Sequence, residues 1–107
     1  MVFVGKVGND IFGQQALSQF QREGINTSFV FTDPKNPSGV ALINVDAAGE
    51  NCIAVAPGSN GNLRTDEVEQ AIDALTDSSL VLIHLEIPLP TVERASRQRY
   101  EKDCGSF

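Results

Sequence analysis

Glu86 is the side chain best placed for chemistry in this sequence. It follows the apolar run Leu80-Val81-Leu82-Ile83-His84-Leu85. A continuous apolar run of this length reads as a strand covered on both faces within a parallel sheet. Open α/β sheets bind their ligands just outside the carboxyl ends of such strands. A carboxylate there can accept two hydroxyl hydrogen bonds, which suits a polyol or a sugar. A carboxylate that caps a nearby helix, or is simply solvated, fits the same position, and spacing alone leaves the two readings level. His84, the sole histidine, lies inside the run. No motif sets a serine or cysteine nucleophile beside it, so a packed, hydrogen-bonded imidazole is favoured over a catalytic one.

Two further stretches are candidates. Val40 to Asp46 and Asn51 to Ala56 read as strands joined by the loop Ala47-Ala48-Gly49-Glu50, a β-hairpin. Alternation puts Ala41, Ile43 and Val45 on one face and Val40, Leu42 and Asn44 on the other. Ala41, Ile43 and Val55 could form an apolar surface over a ligand; from the pattern alone an ordinary core face is the stronger reading. Pro57-Gly58-Ser59-Asn60 could present backbone N–H groups to a phosphate, although a plain turn is the simpler account.

Composition closes off several classes. At 107 residues the chain can build one domain with a core, and 41% apolar with 21% charged residues is a globular balance. The formal net charge of −6 opposes binding to a nucleic-acid backbone. Arg94, Arg97, Arg99 and Lys102 are interleaved with Glu93, Glu101 and Asp103, the pattern of a solvated helix face. No apolar run reaches a membrane-spanning length, and the first residues lack the pattern of a signal peptide. Cys52 and Cys104 lie far apart without CxxC spacing, so free thiols in a reducing cytosol are expected and a zinc site is not. P-loop, HExxH, G-x-S-x-G and EF-hand patterns are all missing.

The elements that must position these residues follow from periodicity. Val2 to Val7 reads as a short buried strand. Asn9 or Asp10 caps a helix from about Ile11 to Glu23, with Phe12, Ala16, Leu17 and Phe20 on its buried face and Gly24 at its left-handed end. Phe29 to Phe31 is a short strand, followed by the turn-rich Asp33 to Gly39. A second helix spans about Thr65 to Leu75, with Val68, Ala71, Ile72 and Leu75 inward and Asp66, Glu67 and Glu69 in its first turns. After the 80–85 strand a third helix begins near Pro90 or Thr91, with Val92 and Ala95 inward, after which its apolar stripe fades. Strands and helices alternating around a hairpin predict an α/β fold. The parallel strands are too few to shield one another, which leaves unmet sheet edges.

At this point the residues resemble ribokinase, within the phosphofructokinase-B type of carbohydrate kinases. The stretches that carry the likeness are Val4-Gly5-Lys6-Val7-Gly8-Asn9-Asp10-Ile11-Phe12-Gly13, Ser38-Gly39-Val40-Ala41-Leu42-Ile43, Gly49-Glu50-Asn51 with Ala56-Pro57-Gly58-Ser59-Asn60, and Leu85-Glu86-Ile87-Pro88 with Thr91-Val92. They follow the family's order from about residue 2 to about residue 95. The set favours ribokinase over fructokinase or ketodeoxygluconate kinase. Ser59 stands where the family usually has alanine, and His84 where glutamine is common.

The resemblance implies part of an α/β/α sandwich with a β-hairpin lid. The lid would comprise Phe29 to Phe31, Val40 to Asp46 and Asn51 to Ala56, and the core residues 2–24 and 64–103. Positions matching Ala41, Ile43 and Val55 would face the sugar from the lid, and Glu86 would bind its hydroxyls from the sheet. The parent reaction would be ATP-dependent phosphorylation of ribose, with Mg2+ and a monovalent cation, in a dimer paired through lid strands. The family's GGKGxN segment, which grips the sugar, and its GAGD segment, which carries the general base, are not in these 107 residues. Nor are the nucleotide and cation sites. The expectation is therefore an internal portion of a sugar kinase, inactive alone. A non-catalytic interaction module built from the lid is the alternative. No nucleic-acid or membrane partner is expected.

Overall fold

The computed structural model describes residues 1–75 and 80–105. Strand β1, Val2–Gly8, leads into helix α1, Ile11–Arg22, which returns the chain to strand β2, Asn26–Asp33. The two strands are parallel neighbours, with Lys6 opposite Phe31 and Gly8 opposite Asp33. Both ends of α1 are written in the sequence. The Asp10 carboxylate accepts the Gly13 N–H at 2.8 Å, an N-cap. At the other end Gly24 takes φ +74° and donates to the Gln21 carbonyl, while Ile25 donates to the Phe20 carbonyl. That pair of bonds is a Schellman stop, and it turns the chain directly into β2.

Strands β3, Val40–Val45, and β4, Asn51–Ala56, form a separate antiparallel hairpin with Ala41 opposite Val55 and Ile43 opposite Ile53. The expected register is therefore observed, and every residue of both strands is exposed. After a 3-10 turn, Gly58–Asn62, come helices α2, Thr65–Asp73, and α3, Leu89–Gly105.

Alternation along β1 makes this a sandwich. Phe3 points to α1, where its ring meets Phe20 at 4.8 Å between centroids. Val4 and Phe31 point the other way, onto a core of Leu63, Val68, Ile72 and Ala95 contributed by α2, α3 and the approach to α2. Lys6 lies on the same face as Val4. Its ammonium donates to Glu67 Oε1 at 2.9 Å and to the Asn62 carbonyl at 3.1 Å. Both partners of the pair are more than nine-tenths buried, with side-chain exposures of 9% and 8%. Glu67 also accepts the backbone N–H of Arg64 at 2.9 Å, so one carboxylate closes the start of α2 and anchors it to the sheet. Helix α3 is docked on α2 largely by polar groups. The buried Thr91 hydroxyl donates to the Leu63 carbonyl at 2.7 Å, and Gln98 Nε2 donates to Asp73 Oδ1 at 2.8 Å.

Four expectations need correction. Phe12 is 57% exposed, because α1 lies on the sheet through Gly13, Ala16, Leu17 and Phe20 instead. Phe29 to Phe31 belong to β2 and pair with β1, not with the hairpin, because the Schellman turn delivers them beside β1. Residues 80–85 do not form a strand, since β1 is hydrogen-bonded only to β2 and no described strand offers them a ladder. They are covered on one side only: Val81 and Ile83 pack on the core, while Leu80 and Leu82 are 97% and 96% exposed. His84 is exposed rather than packed and has no hydrogen bond among the described residues, because it falls on that open side.

The buried ion pair predicts a specific stability pattern. Lys6→Met strands the Glu67 carboxylate and should cost about 3 kcal/mol, read from the shift in urea midpoint. Lys6→Met combined with Glu67→Leu should regain most of that loss. A double variant as unstable as the single one would show that the pair is not what holds α2 to the sheet.

Candidate functional site

The cleft between the hairpin and the end of the 80–85 segment holds three of the four expected site residues. A cavity of about 170 Å³ is lined by Gly39, Val40 and Ala41 of the first hairpin strand and its approach, Val55 and Ala56 of the second, and Pro57, Asn60 and Glu86. Ala41 and Val55 are directly opposed in the hairpin ladder, so they present one small apolar surface. Glu86 is exposed and takes no hydrogen bond from any described residue, so both its oxygens are available as acceptors. Ile43 shares the face of Ala41 but sits two residues further out on β3, is 59% exposed and does not line the cleft. Asn60, Gly39 and Val40 line it without having been singled out for that role from the sequence.

Two carboxylates, the half-buried Asp10 and the buried Asp33, fix the geometry of this cleft from behind. Asp10, besides capping α1, accepts the Ser38 N–H and the Ser38 hydroxyl, each at 2.8 Å. Ser38 Oγ in turn accepts the Gly8 N–H at 2.9 Å, so the start of the hairpin is tied to the end of β1. Asp33, 5% exposed, accepts the N–H groups of Lys35 and Asn36 at 2.9 and 3.1 Å, and side-chain amides of Asn36 and Asn62 at 3.1 Å each. These donors favour the ionised form. The Lys35 N–H, assisted by Asn36 and Asn62, pulls the Asp33 carboxyl from its ordinary 3.8 down to about 2. The Ser38 and Gly13 N–H groups hold Asp10 below its ordinary value as well. Both acids line a larger polar depression of about 260 Å³ with Asn9, Lys35 and Asn36. Their oxygens are already spent on these internal bonds, so the depression is scaffolding.

The return of the hairpin is pinned too. Ser59, fully buried, donates its N–H to the Pro37 carbonyl at 2.7 Å and its hydroxyl to the Lys6 carbonyl at 2.8 Å. Gly58 takes φ +51° and its Cα lies so close to Pro37 and Ser38 that no Cβ fits there. Those bonds also decide how the 57–60 turn behaves toward phosphate. The Ser59 N–H is taken by Pro37, and the Asn60 N–H by the Pro57 carbonyl at 3.0 Å. The turn therefore has no free pair of amides to form an anion nest. Among the described residues no cluster of three metal-ligating side chains occurs. The described residues of this turn and cleft do not fit a nucleotide's phosphates or its metal ion.

Comparison with known proteins gives this geometry its context. The family model described as pfkB family carbohydrate kinase matches residues 1–104. The chain belongs to that family. It is 38% identical over 92 residues to a ribokinase of Schizosaccharomyces pombe, covering 86% of this chain and 29% of that protein. It is 35% identical over 95 residues to a deoxyribokinase of Salmonella typhi, covering 89% of this chain and 31% of that one. The solved ribokinase of Giardia lamblia superposes with a TM-score of 0.84 at 29% identity, over 96% of this chain and 31% of its own. The chain thus has the ribokinase-like α/β fold and spans about a third of the length of the relatives it matches.

The depressed carboxyls set an acid limit. The folded chain binds fewer protons at Asp10 and Asp33 than the unfolded chain does, so their contribution is complete above the ordinary value of 3.8 and is lost as pH falls below it, for Asp33 toward its folded value of about 2. Circular dichroism during acid titration should show the structure failing across that window. Asp33→Asn should be less stable at neutral pH and show a shallower loss within it. An identical acid slope in the variant would contradict this assignment.

Proposed function

We propose that this chain supplies the sugar-gripping wall of an ATP-dependent sugar kinase, and that ribose is the sugar. The observation that carries the reading is the convergence of Ala41, Val55 and Glu86 on one cleft, with the Glu86 carboxylate unspent. An apolar patch facing a free acceptor fits a sugar ring, whose carbon face is apolar and whose hydroxyls are donors. Names of relatives support the same class, since two of them are a ribokinase and a deoxyribokinase.

Transfer of a phosphoryl group asks for more. It depends on positioning and on stabilising charge, with a base for the attacking hydroxyl and a cradle for the nucleotide. The intact kinase would use ATP, Mg2+ and a monovalent cation to phosphorylate the sugar's 5-hydroxyl. These 107 residues would supply part of the clamp without those groups, so on their own they should bind ribose weakly and turn none of it over. A coupled ADP-release assay with ribose and ATP should read no faster than the blank, while calorimetry detects ribose binding that Glu86→Gln weakens about tenfold. Turnover above the blank, or a Glu86→Gln chain that binds as well as the parent, would refute the reading.

The hairpin supports a second role, pairing with another copy. Leu42, Ile43, Val45, Ile53 and Val55 are each more than half exposed on its two faces, and an exposed apolar hairpin is a surface for association. Light scattering after size exclusion should therefore show a dimer, converted to monomer by Ile43→Lys with Ile53→Lys. A monomeric parent chain at high concentration would remove this role.

A further inference from the structure

We propose that Asn60 is a sugar-binding residue of the same cleft, one that donates to and reads a hydroxyl that Glu86 cannot satisfy alone. The inference rests on the cleft being a sugar site and adds a residue and a selectivity to it. The 3-10 turn contains two asparagines with opposite fates. Asn62 is structural: its side-chain amide donates to Asp33 Oδ2 at 3.1 Å, and its carbonyl accepts from Lys6. Asn60 is half-buried and lines the cleft, yet its side chain makes no hydrogen bond with any described residue. Its amide lies directly over Gly39: a Cβ on Gly39 would collide with Asn60 Nδ2 and stand 2.7 Å from the Pro57 carbonyl. The bare Gly39 backbone is what leaves room for the amide at the foot of the hairpin.

An amide with no protein partner at the edge of a cleft bonds to water, which a ligand hydroxyl can replace. Glu86, ionised, is an acceptor only, so it takes hydroxyl protons and leaves the hydroxyl lone pairs unserved. A carboxamide in the same cleft supplies the missing donor and an acceptor besides. Two neighbouring hydroxyls can then be held between Glu86 and Asn60, each acting as donor to one group or acceptor from the other. Sites built to hydrogen-bond a hydroxyl discriminate strongly against a ligand that lacks it, because their polar groups are then left unpaired.

The test uses the 107-residue chain, nuclear magnetic resonance, D-ribose and singly deoxygenated riboses, 2-deoxyribose among them. On adding ribose, the side-chain NH2 resonances of Asn60, identified by their loss in Asn60→Ala, should shift together with the backbone resonances of Ala41, Val55 and Glu86. Asn60→Ala should weaken ribose about tenfold. One deoxygenated sugar should bind the parent chain correspondingly worse than ribose, and bind Asn60→Ala as well as ribose does. Shifts at Ala41, Val55 and Glu86 with the Asn60 amide unmoved would overturn this inference and leave the sugar site standing. A folded Asn60→Ala chain with unchanged affinity and unchanged selectivity would do the same. No shift anywhere in the cleft would overturn both. Where the variant fails to fold, the Asn60 NH2 is assigned in the parent chain from its proximity to Gly39, and its shift still tests the inference.

Discussion

The cleft exists because one carboxylate, Asp10, holds three backbone segments at a single point. It caps α1 through Gly13, and it accepts both the N–H and the hydroxyl of Ser38, whose oxygen accepts from Gly8. The end of β1, the start of α1 and the entry to the hairpin are thereby fixed together. Asp33 and Ser59 extend the lattice to the other side, binding the 57–62 turn to β2 and to the Pro37 carbonyl. Since every residue of β3 and β4 is exposed, apolar packing does not set the hairpin's angle over the sheet. Directional hydrogen bonds at its root do. Charge-assisted bonds of this kind are short and geometrically exacting, as a site wall requires.

What was legible in the sequence was local. Asp10 before Ile11 and Gly24 after the last turn mark α1 because capping is a property of a few adjacent residues. Alternation set the hairpin register, as a period of two must when the loop is short. Phe12 misled, because a helical stripe says which residues share a face and not how far round the helix the sheet reaches. Gly13, one position on, is what the close approach of α1 to Gly8 requires. The docking of α3 was only partly legible: Ala95 was expected to face inward and is buried, but its polar neighbours were not expected there. Its contact line runs Thr91, Ala95, Gln98, helical in spacing but two-thirds polar, and hydrophobic periodicity passes over such a line.

Strand pairing was the part that local pattern could not give. Leu80 to Leu85 has the composition of a buried parallel strand, yet pairing is a relation between segments, and no described segment stands beside it to accept the ladder. What survives is half of the expectation: alternate residues face the helical layer, and the others are bare. The site was legible to the same degree. Glu86 was singled out by the rule that places ligands beyond strand ends, and it does line the cleft although the ladder is unmade. Ala41 and Val55 followed from the family likeness. Asn60 could not be found, because a turn asparagine with a partner and one without look alike until the partners are seen.

The electrostatics of the cleft argue for a division of labour between the two ends of such an active site. Its one charge is the Glu86 carboxylate, no cation lines it, and the neighbouring turn has spent the backbone N–H groups of Ser59 and Asn60 internally. A neutral sugar loses nothing by entering, since its hydroxyls are donors. A polyphosphate would meet a like charge in a partly shielded space, where repulsion is stronger than in bulk water. On the proposed reading, a wall that held the sugar would by the same charge disfavour the nucleotide. Selectivity of this sort needs only the clamp. On that reading the preference would reside in the residues that line the cleft, whichever residues perform the transfer.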